Sequence, residues 1–399
     1  MSTLEKEMRR RLWTTILELV LQSSLEAGAP PMIALDEFSC RLPSNYNDDQ
    51  LEDVEHTSPL PVDVYTDASL QIALGQSFNL RLKIARVANG IGDNLDHKDT
   101  SRLSSDLAAA HLELQTCLSR ADGASLFQKR FCEMVLLRYF LVLHLPFASL
   151  DVSHPPCSLS RRICIDTALQ VSYFALNHSS PAVQESPLSS LFTTAKVPGQ
   201  CHDYVRLLLC GSGPVHSMHV QCLMITASAL SEETLNPSAP AGTGGIARDL
   251  ELQMLLRYGV EWTERRIYAG QTNVKDHLFA VIMLAHTEAP ASAVARDVFM
   301  QERSVSALRS CERILRELAG PDMSASGIET EAEHGGFGGV DGFLMNELSD
   351  IHWDISVSLR CLRSLVTCNE LTLELTDGQL ASESTLNSLQ GDSTVPIDT

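Results

Sequence analysis

No glycine or proline occurs before Gly28, and this uninterrupted opening run constrains the fold more than any other feature of the sequence. Apolar residues recur within it at every fourth position: Leu4, Met8, Leu12, Ile16 and Val20. That spacing places them near one side of an α-helix. Gly28 can take the left-handed conformation that ends a helix, and the proline pair at 30–31 cannot continue one. The sequence therefore predicts an amphipathic helix that ends at Gly28, followed by an irregular segment that folds back against it.

The rest of the chain alternates between apolar helical patterns and stretches rich in glycine, proline and serine. The 22 glycines and 17 prolines cluster between the apolar blocks, which favours helices joined by loops over a β-sandwich or barrel. We predict an all-α fold of about ten helices around one irregular core. One domain is expected over residues 1–368, with flexible linkers near 179–199, 231–245 and 319–340, and an acidic, disordered tail over 369–399.

The charge balance is strongly acidic, with 50 Asp and Glu residues against 30 Lys and Arg residues and a net charge of −20. A surface of that sign repels the phosphates of nucleic acids, so we do not expect the chain itself to bind DNA. The basic tripeptide Arg9–Arg11 has two interpretations. It is either structural, as a polar face of a helix or as buried guanidinium groups paired to Glu5 and Asp36, or it is a nuclear import signal.

The eleven cysteines are dispersed, and no two of them are spaced as Cys-x-x-Cys. Such a set is typical of reduced, buried thiols in an intracellular protein. The most apolar stretch, residues 134–150, contains Arg138 and His144, so we expect no membrane span and no membrane partner.

One cluster of potential metal ligands occurs in the middle of the chain: Cys201, His202, Cys210, His216, His219 and Cys222. His216, His219 and Cys222 are spaced by three, so they can share a helix face and bind a metal, or they can be polar residues of an ordinary helix. The Gly211–Gly213 stretch lacks the Gly-x-Ser-x-Gly pattern of a nucleophile elbow. We predict no enzyme activity, catalytic residue, cofactor or metal site, with a metal- or ligand-dependent sensor or enzyme as the remaining alternative.

Two stretches near the N-terminus and one near residue 145 follow a more specific pattern. The first contains, in order, Arg10, Arg11, Leu12, Trp13, Gly28, Pro30, Ile33, Asp36 and Pro43. The second is residues 77–89, and the third contains His144, Pro146 and Phe147. Together they resemble the regulatory domain specific to fungal transcription factors, the helical middle homology region of the fungal zinc-cluster factors. The resemblance covers roughly the first 176 residues, and Leu145 stands where the family usually has Arg.

The resemblance implies a nuclear transcription regulator that controls a metabolic or secondary-metabolite gene set. Partners would be other transcription regulators or coactivators, and homodimers occur in the full-length family. Trp13, Leu12, Arg10 and Arg11 would act structurally, closing the loop that carries Ile33 and Asp36 onto the first helix. Family members contact DNA through a cluster of six cysteines that holds two zinc ions.

The sequence contains no such cysteine cluster, so DNA binding is expected only through a module missing from it. The alternative is a stand-alone interaction partner or competitor of a full-length factor, without DNA binding of its own. The acidic tail mixes acidic residues with leucines, a composition that either folds onto coactivators or remains an unstructured end.

Overall fold

The computed structural model describes residues 2–51, 57–90, 96–148, 155–176, 202–235, 243–290 and 292–319. Within these ranges the chain forms eleven α-helices and no β-strand, which confirms the predicted all-α class. The helices are α1 (Thr3–Ala27), α2 (Ser69–Gln76), α3 (Phe78–Asn89), α4 (His97–Arg120), α5 (Leu126–Ala148), α6 (Pro155–Leu176), α7 (His202–Cys210), α8 (Pro214–Leu235), α9 (Thr243–Tyr268), α10 (Lys275–Glu288) and α11 (Ala293–Ala319).

Several predicted segments lie outside the described residues, namely the linker 179–199, the linker 319–340 after its first residue and the acidic tail 369–399. All described residues belong to one packing unit. Helix α8 ends at Leu235 and helix α9 begins at Thr243, so both enter the linker predicted at 231–245. Residues 77–89, the second stretch of the sequence pattern, form α3 with Ser77 as its N-cap, and α2 ends just before them.

Both ends of α1 are closed by residues of the sequence itself. The Ser2 hydroxyl accepts a hydrogen bond from the Glu5 amide (3.2 Å), and the Glu5 carboxylate accepts one from the Ser2 amide (2.9 Å). This reciprocal capping box satisfies amides that have no partner inside the helix. Gly28 follows with φ 61°, the left-handed region that glycine enters without a steric cost, and its amide donates to the Ser24 carbonyl. The helix therefore ends where the sequence predicts.

The buried side of α1 is not the one that the opening pattern suggests. Leu4, Met8 and Leu12 are 40%, 51% and 63% exposed, whereas Leu17, Leu21 and Leu25 are buried. Both sets repeat at every fourth residue, so α1 carries two apolar stripes on different sides. Spacing alone cannot tell which stripe meets the core, and the stripe that contains Leu12 lies on the exposed side.

Helix α5 is the central element, and it contacts α3, α4, α6 and α7. It is long and apolar enough to cross a membrane by length and composition, yet most of this stretch is buried against the neighbouring helices, as in the core helix of a soluble protein. Leu136, Tyr139 and Leu143 are fully buried and meet Leu21 of α1 and Leu82 of α3 in one cluster. The segment after α1 packs against this cluster.

Candidate regulatory site

The lid segment, which we define as residues 28–48, is the irregular stretch that returns along α1. Apart from a single 3₁₀ turn, Leu35–Glu37, it has no regular secondary structure. Its backbone groups therefore need partners from elsewhere. Side chains of α1 and α3 supply several of them.

Aromatic rings join the middle of the lid segment to the helices. Phe38 lies edge-on to Trp13 of α1, with ring centroids 5.7 Å apart, and to Phe78 of α3, at 6.3 Å. Trp13, Phe38 and Ile33 are partly buried and pack against the central cluster. Trp13 of α1 and Ile33 of the lid segment thus pack against the same cluster.

The far end of the lid segment is held by the arginines of α1. Glu7 is buried, accepts from the Ser44 amide (2.8 Å) and pairs with Arg10 (3.3 Å), which itself donates to the Ser44 hydroxyl (3.1 Å). Arg11 donates to the Tyr46 carbonyl (2.8 Å) and forms an ion pair with Asp48. These contacts tie α1 to the chain just after Pro43, which is buried.

The ionic partners expected for the basic tripeptide are therefore wrong. Glu5 caps the start of α1, and Asp36 is exposed in the 3₁₀ turn, so neither of them meets Arg10 or Arg11. A helix brings together residues three or four apart, which explains Glu7 and Arg10. The partners of Arg11 are set by where the lid segment returns, and nothing local in the sequence indicates that position.

The near end of the lid segment is held by α3. Asn89 donates to the carbonyls of Ser24 (3.0 Å) and Ala29 (3.1 Å), and Arg86 donates to the Ile33 carbonyl. Pro30 is exposed and Pro31 is buried beneath the turn. The sequence-based interpretation overlooked Asn89 and Arg86, because a helix position that serves a distant backbone has no local signature.

A second overlooked group is the fully buried Arg81 of α3. Its guanidinium donates to both carboxylate oxygens of Glu18 (2.7 and 2.8 Å) and to the Leu74 carbonyl (2.8 Å). It also lies over the ring of Tyr139, 5.6 Å from the centroid. A buried charge is tolerated only when it is paired and hydrogen-bonded, and Arg81 meets that requirement.

A cavity of about 370 Å³ lies between α1, the lid segment and the α2–α3 junction. Trp13, Phe38 and Phe78 are among its apolar lining residues, and Glu18 and Arg81 are among its polar ones. The Trp13 Nε1–H is buried and has no hydrogen-bond acceptor among the described residues.

His144, Pro146 and Phe147, the third part of the sequence pattern, occupy the C-terminal end of α5. The His144 ring nitrogens lie 2.9 Å from the Ser104 hydroxyl and 3.0 Å from the Ser160 hydroxyl, which joins α4, α5 and α6. Burial lowers the pKa of His144 to about 4, so its ring is neutral at pH 7. Phe147 is buried against the ring of His97, with centroids 4.4 Å apart, whereas Pro146 is exposed. None of these contacts reaches the lid segment.

The predicted His/Cys cluster is distributed over separate contacts. His216 pairs with Asp276 of α10 (2.7 Å), and His219 bonds to the Val215 carbonyl of its own helix (2.7 Å). Burial lowers the pKa of His219 to about 4 and raises that of the Cys222 thiol to about 12. In the part of the chain that the structure describes, no three His, Cys, Asp or Glu side chains converge as metal ligands.

The described cysteines also do not fit a zinc cluster. Each is a free thiol, the buried ones are distributed over α5, α6, α8 and α11, and no Cys-x-x-Cys pair exists in the sequence. A structural zinc site needs four ligands at one point, usually with two of them on one short loop.

Comparison with known proteins finds fungal transcription factors as relatives. The transcription factor lepE of Aspergillus flavus is 37% identical over 175 residues, covering 43% of this chain and 21% of that protein. The transcription factor asR3 of Sarocladium schorii is 28% identical over 349 residues, covering 80% of this chain and 40% of that protein. The aspyridones cluster regulator apdR of Emericella nidulans is 30% identical over 205 residues, 49% of this chain and 28% of that protein.

The relatives are fungal pathway-specific transcription factors at modest identity, and their names support a role in transcription regulation. The chain spans between about a fifth and two fifths of the length of these three relatives. No family model matches the chain, and no solved structure is a significant match.

Proposed function

We propose that this chain is the helical regulatory domain of a fungal zinc-cluster transcription regulator that controls a secondary-metabolite gene set in the nucleus. The alignment with asR3, which covers 80% of the chain, is the observation that carries the proposal. One relative is named for a metabolite gene cluster, the aspyridones cluster regulator. The names of the relatives support a general role in transcription regulation. The domain type, the nuclear location and the gene set are what we propose in addition.

The lid segment supports a regulatory use of the fold. Its two ends are fixed by polar contacts to α1 and α3, while its middle covers a cavity. Apart from the packing of Ile33 and Phe38, the segment is held by hydrogen bonds and ion pairs, so we infer that it can open locally while the apolar core below it stays folded. We propose that binding of other regulators or coactivators depends on the position of the lid segment. DNA binding belongs to a zinc-cluster module outside this sequence.

A tethering experiment tests the proposal. We would fuse the 399-residue chain to a heterologous DNA-binding domain and measure reporter transcription in a fungal host. We expect reporter output to change by several-fold relative to the DNA-binding domain alone. A matched fusion that ends at Asn369 measures the share contributed by the acidic tail. Unchanged output from a stably expressed fusion, together with unchanged transcripts after deletion of the gene in its source organism, would reject the proposal.

The alternative is a stand-alone interaction partner or competitor of a full-length factor, which the dispersed cysteines favour. Transcript mapping separates it from the first proposal. An in-frame upstream exon that encodes six cysteines would reject the stand-alone form. If no such exon exists, overexpression of the chain should lower the output of a full-length relative, and the chain should co-purify with that relative.

A further inference from the structure

The exposed stripe of α1 is an apolar surface that is open to solvent. It consists of five large apolar side chains, each between 37% and 63% exposed: Leu4, Met8, Leu12, Ile16 and Leu19. Consecutive members are three or four residues apart, so they are neighbours on the helix surface. A single exposed leucine is ordinary on a soluble protein, but a contiguous row of this kind is typical of an interaction site.

An apolar groove of about 270 Å³ adjoins this stripe. Thr15 lines the groove and is exposed, and it neighbours both Leu12 and Leu19 on the helix surface. Phe127 and Phe131 of α5 also line the groove. A row of apolar side chains beside an apolar groove is the kind of surface that receives an amphipathic helix.

The charge at the N-terminal end of the stripe is opposite in sign to that of the whole chain. The net charge is −20, yet three consecutive arginines, Arg9–Arg11, lie on α1 with Lys6 one turn before them. Arg10 and Arg11 are engaged by the contacts near the lid segment. Lys6 and Arg9 are exposed, and neither forms an ion pair with any described residue. Together with the positive end of the helix dipole, they complement carboxylates of a partner.

The size of the surface fits one helix better than a folded domain. A stable complex between two folded proteins buries about 20–30 residues on each side, far more than this stripe and groove offer. A second copy of the chain, or an anionic membrane, would also extend over the acidic surface and be repelled by it. A single helix contacts only this patch, because charges more than about 10 Å away are largely screened at 0.1 M salt.

We propose that the exposed stripe and the adjoining groove bind one amphipathic helix of another regulator. That helix carries leucine-like side chains at every third or fourth position, and it carries carboxylates where it faces Lys6 and Arg9. Its apolar side lies along the stripe, and one large side chain enters the groove. As a surface for a regulator, this site rests on the function proposed above, whereas the binding step itself does not depend on that function.

Binding of synthetic peptides to the purified full chain, measured by fluorescence anisotropy, tests the proposal. The first peptide is a labelled helix of about 18 residues with leucines at every third and fourth position and glutamates beside them. The second has lysine in place of each glutamate, and the third has the same composition as the first but with its leucines spread around the helix. We expect the first peptide to bind at least about tenfold more tightly than either control.

Variants at exposed positions separate the binding surface from the fold. Leu12→Ser and Leu19→Ser should each weaken binding of the glutamate peptide by about five- to tenfold. Leu112→Ser on α4 is the matched control, because Leu112 is 65% exposed and lies outside the stripe, and binding should stay within about twofold. Arg9→Glu should weaken binding of the glutamate peptide and strengthen that of the lysine peptide, and Lys83→Glu on α3 should do neither.

Equal binding of the glutamate and lysine peptides, or unchanged binding in both variants of the stripe, would overturn the proposal. Sedimentation of the chain and its binding to phosphatidylserine vesicles test the other occupants. A dimer that Leu12→Ser converts to a monomer would assign the surface to a second copy, and vesicle binding that Leu12→Ser abolishes would assign it to a membrane. Either result would overturn the proposal, and a monomer that ignores the vesicles supports it. Because none of these measurements involves transcription, their failure is distinguishable from failure of the reporter experiment.

Discussion

Helices α1 and α5 are of similar length, at 25 and 23 residues, but they are buried in opposite ways. α5 buries eleven residues, and nine of them are apolar or aromatic. α1 buries only six, of which Glu7, Thr14 and Ser24 are polar, and it exposes leucines and a methionine instead.

The difference follows from what each helix packs against. α5 is surrounded by other helices, whose backbone groups are already paired, so apolar side chains fill the contacts. α1 is covered partly by the lid segment, whose amides and carbonyls need partners, and Glu7 and Ser24 bond to them directly. Polar residues are therefore buried on α1 where they bond to the backbone of the irregular lid segment.

The largest effect that we predict concerns the ion pair between α1 and α3. Glu18→Ala leaves the fully buried guanidinium of Arg81 without its carboxylate, and we expect the free energy of unfolding to fall by about 3–5 kcal/mol. The double variant Glu18→Leu/Arg81→Met removes both charges and should recover most of that loss. Urea unfolding curves measure both. A double variant that is less stable than Glu18→Ala would contradict the comparison.

The next effect concerns the histidine of α5. Burial lowers the pKa of His144 from 6.5 to about 4, so between these values the unfolded chain binds more protons than the folded one. The contribution of His144 is complete above about pH 6.5 and is lost as the pH falls toward 4, by about 3 kcal/mol in all. His144→Asn should be less stable at pH 7 and should lose less stability on acidification. Parallel pH profiles for the two proteins, from urea midpoints, would exclude this role.

A smaller effect is expected for Trp13, because its indole is only partly buried and borders a cavity. Trp13→Ala should lower the free energy of unfolding by about 2–3 kcal/mol, below the value of about 3–5 kcal/mol typical of a fully buried tryptophan. Trp13→Phe serves as the control that keeps the contact with Phe38. Thermal unfolding measures both variants, and a near-wild-type melting curve for Trp13→Ala would show that Phe38 and the lid segment do not depend on it.

The smallest effect is expected on the exposed stripe of α1. Leu12 is 63% exposed, so Leu12→Ser should change the free energy of unfolding by no more than about 0.5 kcal/mol. Leu136→Ala, at a fully buried position of α5, is the matched contrast and should cost about 2–5 kcal/mol. Equal losses in the two variants would show that the stripe is covered in solution.

The helical class and most helix positions could be predicted from the sequence. The end of α1 is one example, since Gly28 and the prolines after it act locally, and the length and apolar content of α5 are another. The lid contacts could be predicted only in part. The pattern around Trp13 and Ile33 indicates a loop that returns to the helix, but it does not identify Glu7, Arg86 or Asn89 as the residues that hold the loop.

The sequence by itself determined where α1 begins and ends, because its caps, Gly28 and the prolines after it act through the backbone within a few residues of themselves. It also determined that α5 lies inside, because almost every side of that helix is apolar. Only the tertiary structure decided which of the two stripes of α1 faces the core, and which carboxylate meets Arg81. Those choices depend on residues more than sixty positions away along the chain, which only folding brings within hydrogen-bonding distance.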